Sequence, residues 1–252
     1  MRPNRLKEIW AEGRPVLNGW LSLPDAVVAE NFAEQGWDAL TVDMQHGLVG
    51  YAALVPMLQA MRASQVTPMV RVPWNAPGDI MKALDAGAMG IICPMISTVA
   101  QCEAFVGACR YPPGGYRSFG PIRAALVYGA DYAAHANNEV LTLAMIETAE
   151  GLENVEAIAR VPGLDGIYIG PADLSLGLGG EPRMDSDDPR LMAAFDRIQA
   201  AAKAAGIHVG LHTGSVDYAR KMIARGFHLV TVGSDLRYLA AGRHEAADLR
   251  KG

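Results

Sequence analysis

Eight short apolar runs, each followed by a helix-like segment, constrain this chain more than any other feature. They cover residues 16–23, 39–44, 68–72, 90–95, 141–147, 166–170, 208–213 and 229–233. Their length and β-branched content read as strands buried on both faces. The clearest connecting helix, 191–205, has Asp188-Pro189 as N-cap and first residue and is closed by Gly206. Buried strands alternating with amphipathic helices make a parallel sheet. Eight such units in 252 residues fit one single-domain α/β chain, a (β/α)8 TIM barrel over 1–252, whereas a doubly wound sheet uses about five or six strands. No GxGxxG follows the first run, which argues against a dinucleotide site. The Pro/Gly-rich stretch 111–138 reads as the one irregular insertion.

The net charge of −5 gives no electrostatic footprint for nucleic acid. The longest uncharged stretch, 86–102, carries Pro94, Ser97, Thr98 and Gln101, unlike the ~20 apolar residues of a membrane span. Met1-Arg-Pro-Asn-Arg-Leu-Lys-Glu8 lacks a signal-peptide pattern, so no membrane partner and a cytoplasmic location are expected. Cys93, Cys102 and Cys109 are odd in number with no CxxC spacing, which disfavours a disulfide framework or structural zinc and leaves them as small buried hydrophobes.

In such a barrel the chemistry belongs to the carboxyl ends of strands. The polar residues expected there are Asp43, Gln45, His46, Arg71, Glu147, Asp173 and His212, with Trp20 as a rigid apolar wall. Gly170 would let the backbone approach a ligand, Pro171 would stiffen the strand exit, and Asp173 would point into the mouth. Glu147 and Asp173 together suit a hard octahedral cation such as Mg²⁺ or Mn²⁺; the bland alternative makes each a helix N-cap or a surface acid. A guanidinium ending an apolar strand implies an anionic ligand for Arg71, or a salt bridge to a neighbouring barrel acid. Asp43 and His46, three apart, read as a carboxylate orienting a general-base imidazole.

His212 is a supporting candidate that could equally be structural. His135, His208, His228 and His244 fall in loops, at strand starts or near the chain end and read as bland. A Schiff-base aldolase would need a strand-end lysine, but Lys7, Lys82, Lys203, Lys221 and Lys251 fall on expected helices or at termini. Gly233-Ser-Asp-Leu236 offers little to cradle a phosphate.

The chain resembles the HpcH/HpaI aldolase family, metal-dependent class II pyruvate aldolases of the 4-hydroxy-2-oxoheptane-1,7-dioate and 2-keto-3-deoxy sugar acid type. The resemblance rests on Trp37-Asp-Ala-Leu-Thr-Val-Asp-Met-Gln-His-Gly47, Val70-Arg-Val-Pro-Trp-Asn75, Ala83-Leu-Asp-Ala-Gly87, Cys93-Pro-Met95, Arg110-Tyr-Pro-Pro-Gly114, Ile146-Glu-Thr148 and 166–175, in that order. It implies that Glu147 and Asp173 ligate a divalent ion (Mg²⁺, Mn²⁺ or Co²⁺) with no organic cofactor, that Arg71 faces the keto acid, and that Asp43 and His46 form an acid/base dyad.

By the same resemblance the reaction is aldol addition of pyruvate or hydroxypyruvate to an aldehyde, equivalently cleavage of a 4-hydroxy-2-oxo acid. Backbone N–H groups from Gly170 through Ala172 to Asp173 hold the carboxylate, and Trp20 with the loop 176–181 shapes the aldehyde pocket. A homohexamer, a trimer of dimers exchanging the last helix, is implied, with Asp85 and the 111–138 insertion supporting sites at subunit contacts. Gln45 departs from the family, whose better-known members place Glu beside the histidine, and this points to a more polar donor such as hydroxypyruvate. Two other readings stand beside this one: an acyl-CoA lyase of the citrate lyase β-subunit type, and a non-catalytic barrel that binds a keto acid.

Overall fold

All eight apolar runs form strands, and four of them end at, or one residue before, a polar group expected at the barrel mouth: Asp43, Arg71, Glu147 and His212. In the computed structural model, which describes residues 1 and 3–250, the strands are β1 Val16–Leu21, β2 Ala39–Asp43, β3 Thr67–Arg71, β4 Gly90–Cys93, β5 Leu141–Ile146, β6 Gly166–Ile169, β7 His208–His212 and β8 Leu229–Ser234. Lys251 and the side chains of His244 and Glu245 lie outside what is described. The strands pair in parallel and in chain order, and β8 closes on β1. The expected (β/α)8 barrel is therefore the observed one.

Two apolar layers hold it together. The barrel interior is filled by Val16, Ala39, Met69, Ile92, Leu143 and Leu229, with Trp20, Met145 and Tyr168 in the same cluster. The helix Arg5–Ala11 closes the end away from the carboxyl ends of the strands: Leu6, Ile9 and Trp10 join that cluster, and Trp10 Nε1 donates to the His228 carbonyl at 2.8 Å. His208 stacks on Trp10 with ring centroids 3.9 Å apart, so it is structural, as expected. Full burial of each large side chain contributes about 1.5–3 kcal/mol before entropy is counted. The second layer packs the outer strand faces against the surrounding helices.

The long helix Pro189–Ala205 starts and stops where its caps require. Asp188 accepts from the Arg190 N–H, Pro189 is the first residue, and Gly206 takes φ 71°. The 111–138 insertion is more ordered than its composition suggests, since it holds the helices Ile122–Tyr128 and Tyr132–Glu139. Arg117 organises it from inside: almost fully buried, its guanidinium binds Asp85 at 2.7 Å and Tyr132 Oη at 3.0 Å and lies over the Tyr111 ring. The final helix Asp235–Leu249 lies against β1 and β8 of its own chain. Cys93, Cys102 and Cys109 are free and buried. Among the described residues no helix is long and apolar enough to cross a membrane.

Candidate active site

A cavity of about 260 Å³ opens at the carboxyl ends of the strands. Trp20, Asp43, His46, Arg71, Gly170, Pro171, Ala172, Asp173 and His212 line it together with Ser22, Met145, Met184 and Ser234. A larger groove of about 590 Å³ runs between the helices Ala26–Ala33 and Asp235–Leu249, but it is lined by Val27, Val28, Phe32, Tyr238 and Leu239 and draws few polar groups together. Convergence of charged groups, not size, marks the site.

Asp43 and Arg71 are the last residues of β2 and β3 and are partners in the strand register. The guanidinium forks onto the carboxylate, Nε to Oδ1 at 2.8 Å and Nη2 to Oδ2 at 2.6 Å, the strong bidentate geometry available to arginine. Trp20 adds an Nε1–H bond to Asp43 Oδ2 at 3.3 Å, and its ring lies 4.8 Å beneath the Arg71 carbon. Trp20 is thus a polar support as well as a wall. Burial pushes the Asp43 carboxyl up, but Arg71 and the loop N–H groups outweigh it and hold the pKa below the usual carboxylate range.

The expected Asp43–His46 dyad is not formed within this chain. Asp43 Oδ1 accepts the backbone N–H groups of Gln45 and His46 at 3.0 and 3.3 Å, an Asx-type turn that fixes the loop rather than the imidazole. Gly47 makes this turn possible, since a Cβ there would sit 2.2 Å from the Asp43 carbonyl oxygen. His46 is exposed at the rim of the cavity. Arg71 likewise realises the salt-bridge alternative, while its Nη1 lies outside the pair.

Glu147 is the first residue after β5 and is buried. Met95, left-handed at φ 57° and so unusual for a non-glycine, aims its N–H at Glu147 Oε1, 2.7 Å away. Burial raises the Glu147 carboxyl to about 7; the Met95 bond opposes this, and the Asp173 carboxylate adds to it. Gly170 is needed for that approach: a Cβ there would stand 2.5 Å from Glu147 Oε2 and 2.6 Å from Met145 Cε. The backbone approach inferred for Gly170 is therefore to Glu147 before any ligand. Pro171 begins the short helix Pro171–Gly177, with Asp173 in its first turn, exposed to the cavity. The N–H groups of the first turn, Ala172 among them, have no partner within the helix ladder.

Other expectations shift. Gln45 does not line the cavity, and its Oε1 is buried with no hydrogen-bond partner in the structure. Asp85 ends the helix Pro77–Asp85 and is bound to Arg117, so in this chain it supports the insertion and not the mouth. The loop 176–181 contributes no lining residue; Met184, just beyond it, does. The described lysines, Lys7, Lys82, Lys203 and Lys221, all lie on helices. Sequence reasoning missed Met145, Met184, Ser22 and Ser234, and also Tyr168, whose hydroxyl touches His212 from inside the barrel; the period-two alternation of a strand could have found Met145 and Tyr168.

A family model described as HpcH/HpaI aldolase/citrate lyase matches residues 17–241. The chain is 45% identical over 248 residues to the hydroxypyruvate/pyruvate aldolase of Rhizorhabdus wittichii, covering 98% of this chain and 99% of that one. It is 38% identical to a 4-hydroxy-2-oxovalerate aldolase of Rhodococcus jostii, covering 94% and 92%. Among solved structures, an HpcH/HpaI aldolase/citrate lyase family protein from Burkholderia cenocepacia superposes with a TM-score of 0.90 at 34% identity, covering 99% of this chain and 100% of that one.

Proposed function

Because the chain belongs to the HpcH/HpaI aldolase/citrate lyase family, a family of carbon–carbon lyases, we propose that it is a divalent-metal-dependent aldolase that adds pyruvate or hydroxypyruvate to an aldehyde, and in reverse cleaves a 4-hydroxy-2-oxo acid. The observation that carries this reading is the Glu147–Asp173 pair. One carboxylate is buried and the other opens to the cavity, close enough for the Asp173 charge to raise the proton affinity of Glu147.

Two hard oxygens of like charge fit a divalent cation such as Mg²⁺, Mn²⁺ or Co²⁺. Among the described residues no group of three or more ligating side chains forms, so Glu147 and Asp173 would be this chain's own share of the ligands. When bound, the ion would supply Lewis acidity to the 2-oxo acid.

The remaining work falls to this chain's own groups. Arg71, fixed by Asp43, faces the keto oxygen and steadies the enolate charge that develops there as the C3–C4 bond of the 4-hydroxy-2-oxo acid breaks. The first-turn N–H groups at Ala172 and Asp173 receive the carboxylate. His46, at the rim, moves the proton on the hydroxyl oxygen at C4, a contribution of roughly 10²–10⁴. Asp43 serves it by holding its loop. Trp20 and Met145 keep water from the base of the cavity. Exposed Phe119, Ile122 and Leu126 on the insertion, with Leu236, Leu239 and Leu249 on the last helix, support a homo-oligomer, read as a hexamer with that helix exchanged.

The direct test is proton NMR of pyruvate and of hydroxypyruvate in D₂O with metal-stripped protein, before and after Mg²⁺ or Mn²⁺. Metal-dependent loss of the C3 proton signal above a protein-free control is expected. Absence of exchange with both donors, despite metal binding, would overturn the aldolase reading and direct attention to CoA thioesters.

A further inference from the structure

His212 ends β7 and lines the cavity, yet its ring is gripped from inside the barrel. Its Nδ1 lies 3.1 Å from Tyr168 Oη, which lies 2.8 Å from Thr231 Oγ1, which in turn lies 2.7 Å from the side-chain amide of Asn18. Tyr168, Thr231 and Asn18 are fully buried. Each of their protons therefore needs an acceptor within the chain of contacts.

Counting donors gives the chain a direction. One end of the Asn18 amide faces the carbonyl oxygens of Gly19 and Ala39, each at 3.2 Å, and the Thr41 hydroxyl at 3.1 Å; that end must be the NH₂, because an amide oxygen there would stand against two carbonyl oxygens that have no proton to give. The amide oxygen then faces Thr231, whose hydroxyl donates to it. A hydroxyl has one proton. With Thr231 committed to Asn18, Tyr168 must donate to Thr231, and the Tyr168 oxygen can only accept from His212. Nδ1 carries the ring proton. Burial, reinforced by the Arg71 charge, lowers the His212 pKa to about 4, so the ring is neutral at pH 7 and Nε2 holds a free lone pair.

We propose that His212 is a specificity residue: its Nε2, kept unprotonated by the Asn18–Thr231–Tyr168 chain, accepts a hydrogen bond from a substrate hydroxyl, so that hydroxylated substrates are preferred over their deoxy counterparts. The reaction rests on the aldolase reading above; the tautomer does not. Two hydroxyls share the required chemistry, that on C3 of hydroxypyruvate and that beside the carbonyl of a 2-hydroxyaldehyde. Tyr168 acts as a positioning residue, through His212.

The tautomer is tested by ¹⁵N NMR of histidine-labelled protein, with His212→Phe assigning the signals. Nδ1 is expected in the protonated range and Nε2 in the unprotonated range, with Tyr168→Phe shifting the ring towards the other tautomer; an Nε2–H ring in the parent protein overturns the proposal. Kinetics then compare hydroxypyruvate with pyruvate, using acetaldehyde, and glycolaldehyde with acetaldehyde, using pyruvate. His212→Phe should lower one of the two kcat/KM ratios roughly five- to tenfold, the worth of one neutral hydrogen bond, and the ratio affected identifies the hydroxyl. Two unchanged ratios overturn the proposal. If no pair turns over, the aldolase reading fails, and the His212 proposal is judged by binding alone: hydroxypyruvate or glycolaldehyde moving the Nε2 signal supports it, and neither doing so overturns it.

Discussion

Arg71 and Asp43 occupy paired register positions at the ends of β3 and β2, and both carboxylate oxygens are taken by the guanidinium, at 2.8 and 2.6 Å. The two residues are therefore one unit. A lysine retains the charge but not the planar fork, so Arg71→Lys should lower kcat by ~10²–10³, the usual cost of one lost oxyanion donor. Asp43→Asn should cost a similar amount, and the double variant should fall well short of the product of the two losses, as expected for groups in contact. Steady-state rates on hydroxypyruvate with an aldehyde check this; a lysine variant within a few-fold of the parent protein would show that charge alone suffices.

Glu147 ties stability to pH. Its carboxyl is raised from 4.5 to about 7 in the folded chain, so folding takes up a proton between those values, and the metal-free protein should lose stability as pH rises from about 4.5 to about 7. The loss is of order 1.4 kcal/mol per pH unit, up to roughly 3 kcal/mol in total. A divalent cation needs the same carboxylate ionised. Added Mg²⁺ or Mn²⁺ should therefore raise Tm more at pH 8 than at pH 5.5, and Glu147→Gln should flatten the metal-free pH dependence. Melting curves at the two pH values, with and without metal, read out both effects.

Gly170 is expected to tolerate no side chain. In Gly170→Ala the new Cβ would start 2.5 Å from Glu147 Oε2, and the carboxylate would have to turn away. Metal affinity measured by calorimetry should drop at least about tenfold, the scale on which displaced supporting groups weaken metal sites, while far-ultraviolet circular dichroism stays unchanged. Unaltered affinity would separate Glu147 from the metal.

The barrel is legible because each strand is a short apolar run followed by a helical segment, and because strand-end position is a property of sequence order. Sequence order alone therefore brings Asp43, Arg71, Glu147 and Asp173 to one mouth. Which groups touch is set by register and rotamer, which sequence order does not carry. So sequence spacing pairs Asp43 with the nearby His46, although its register partner across the sheet, 28 residues on, takes both oxygens. Gly170 looked like a ligand approach because Glu147 behind it is remote in sequence. The insertion looked irregular because its glycines and prolines are visible, whereas the buried Arg117 that orders it has partners 32 residues back and 15 ahead.

Arg117 also gives the test of how the insertion is held. A guanidinium so deeply buried needs an anion, and Asp85 is the one bonded to it, at 2.7 Å. Asp85→Asn should leave that charge underpaired and destabilise the chain by about 3–5 kcal/mol, the usual cost of breaking a buried pair. Arg117→Met with Asp85→Asn, which removes both charges and keeps much of the volume, should recover a good part of the loss. Urea unfolding midpoints of the three variants decide between these outcomes. Asp85→Asn with parent stability but altered oligomer size would instead locate its role at a subunit contact, since the ion pair would then contribute nothing to the fold of the single chain.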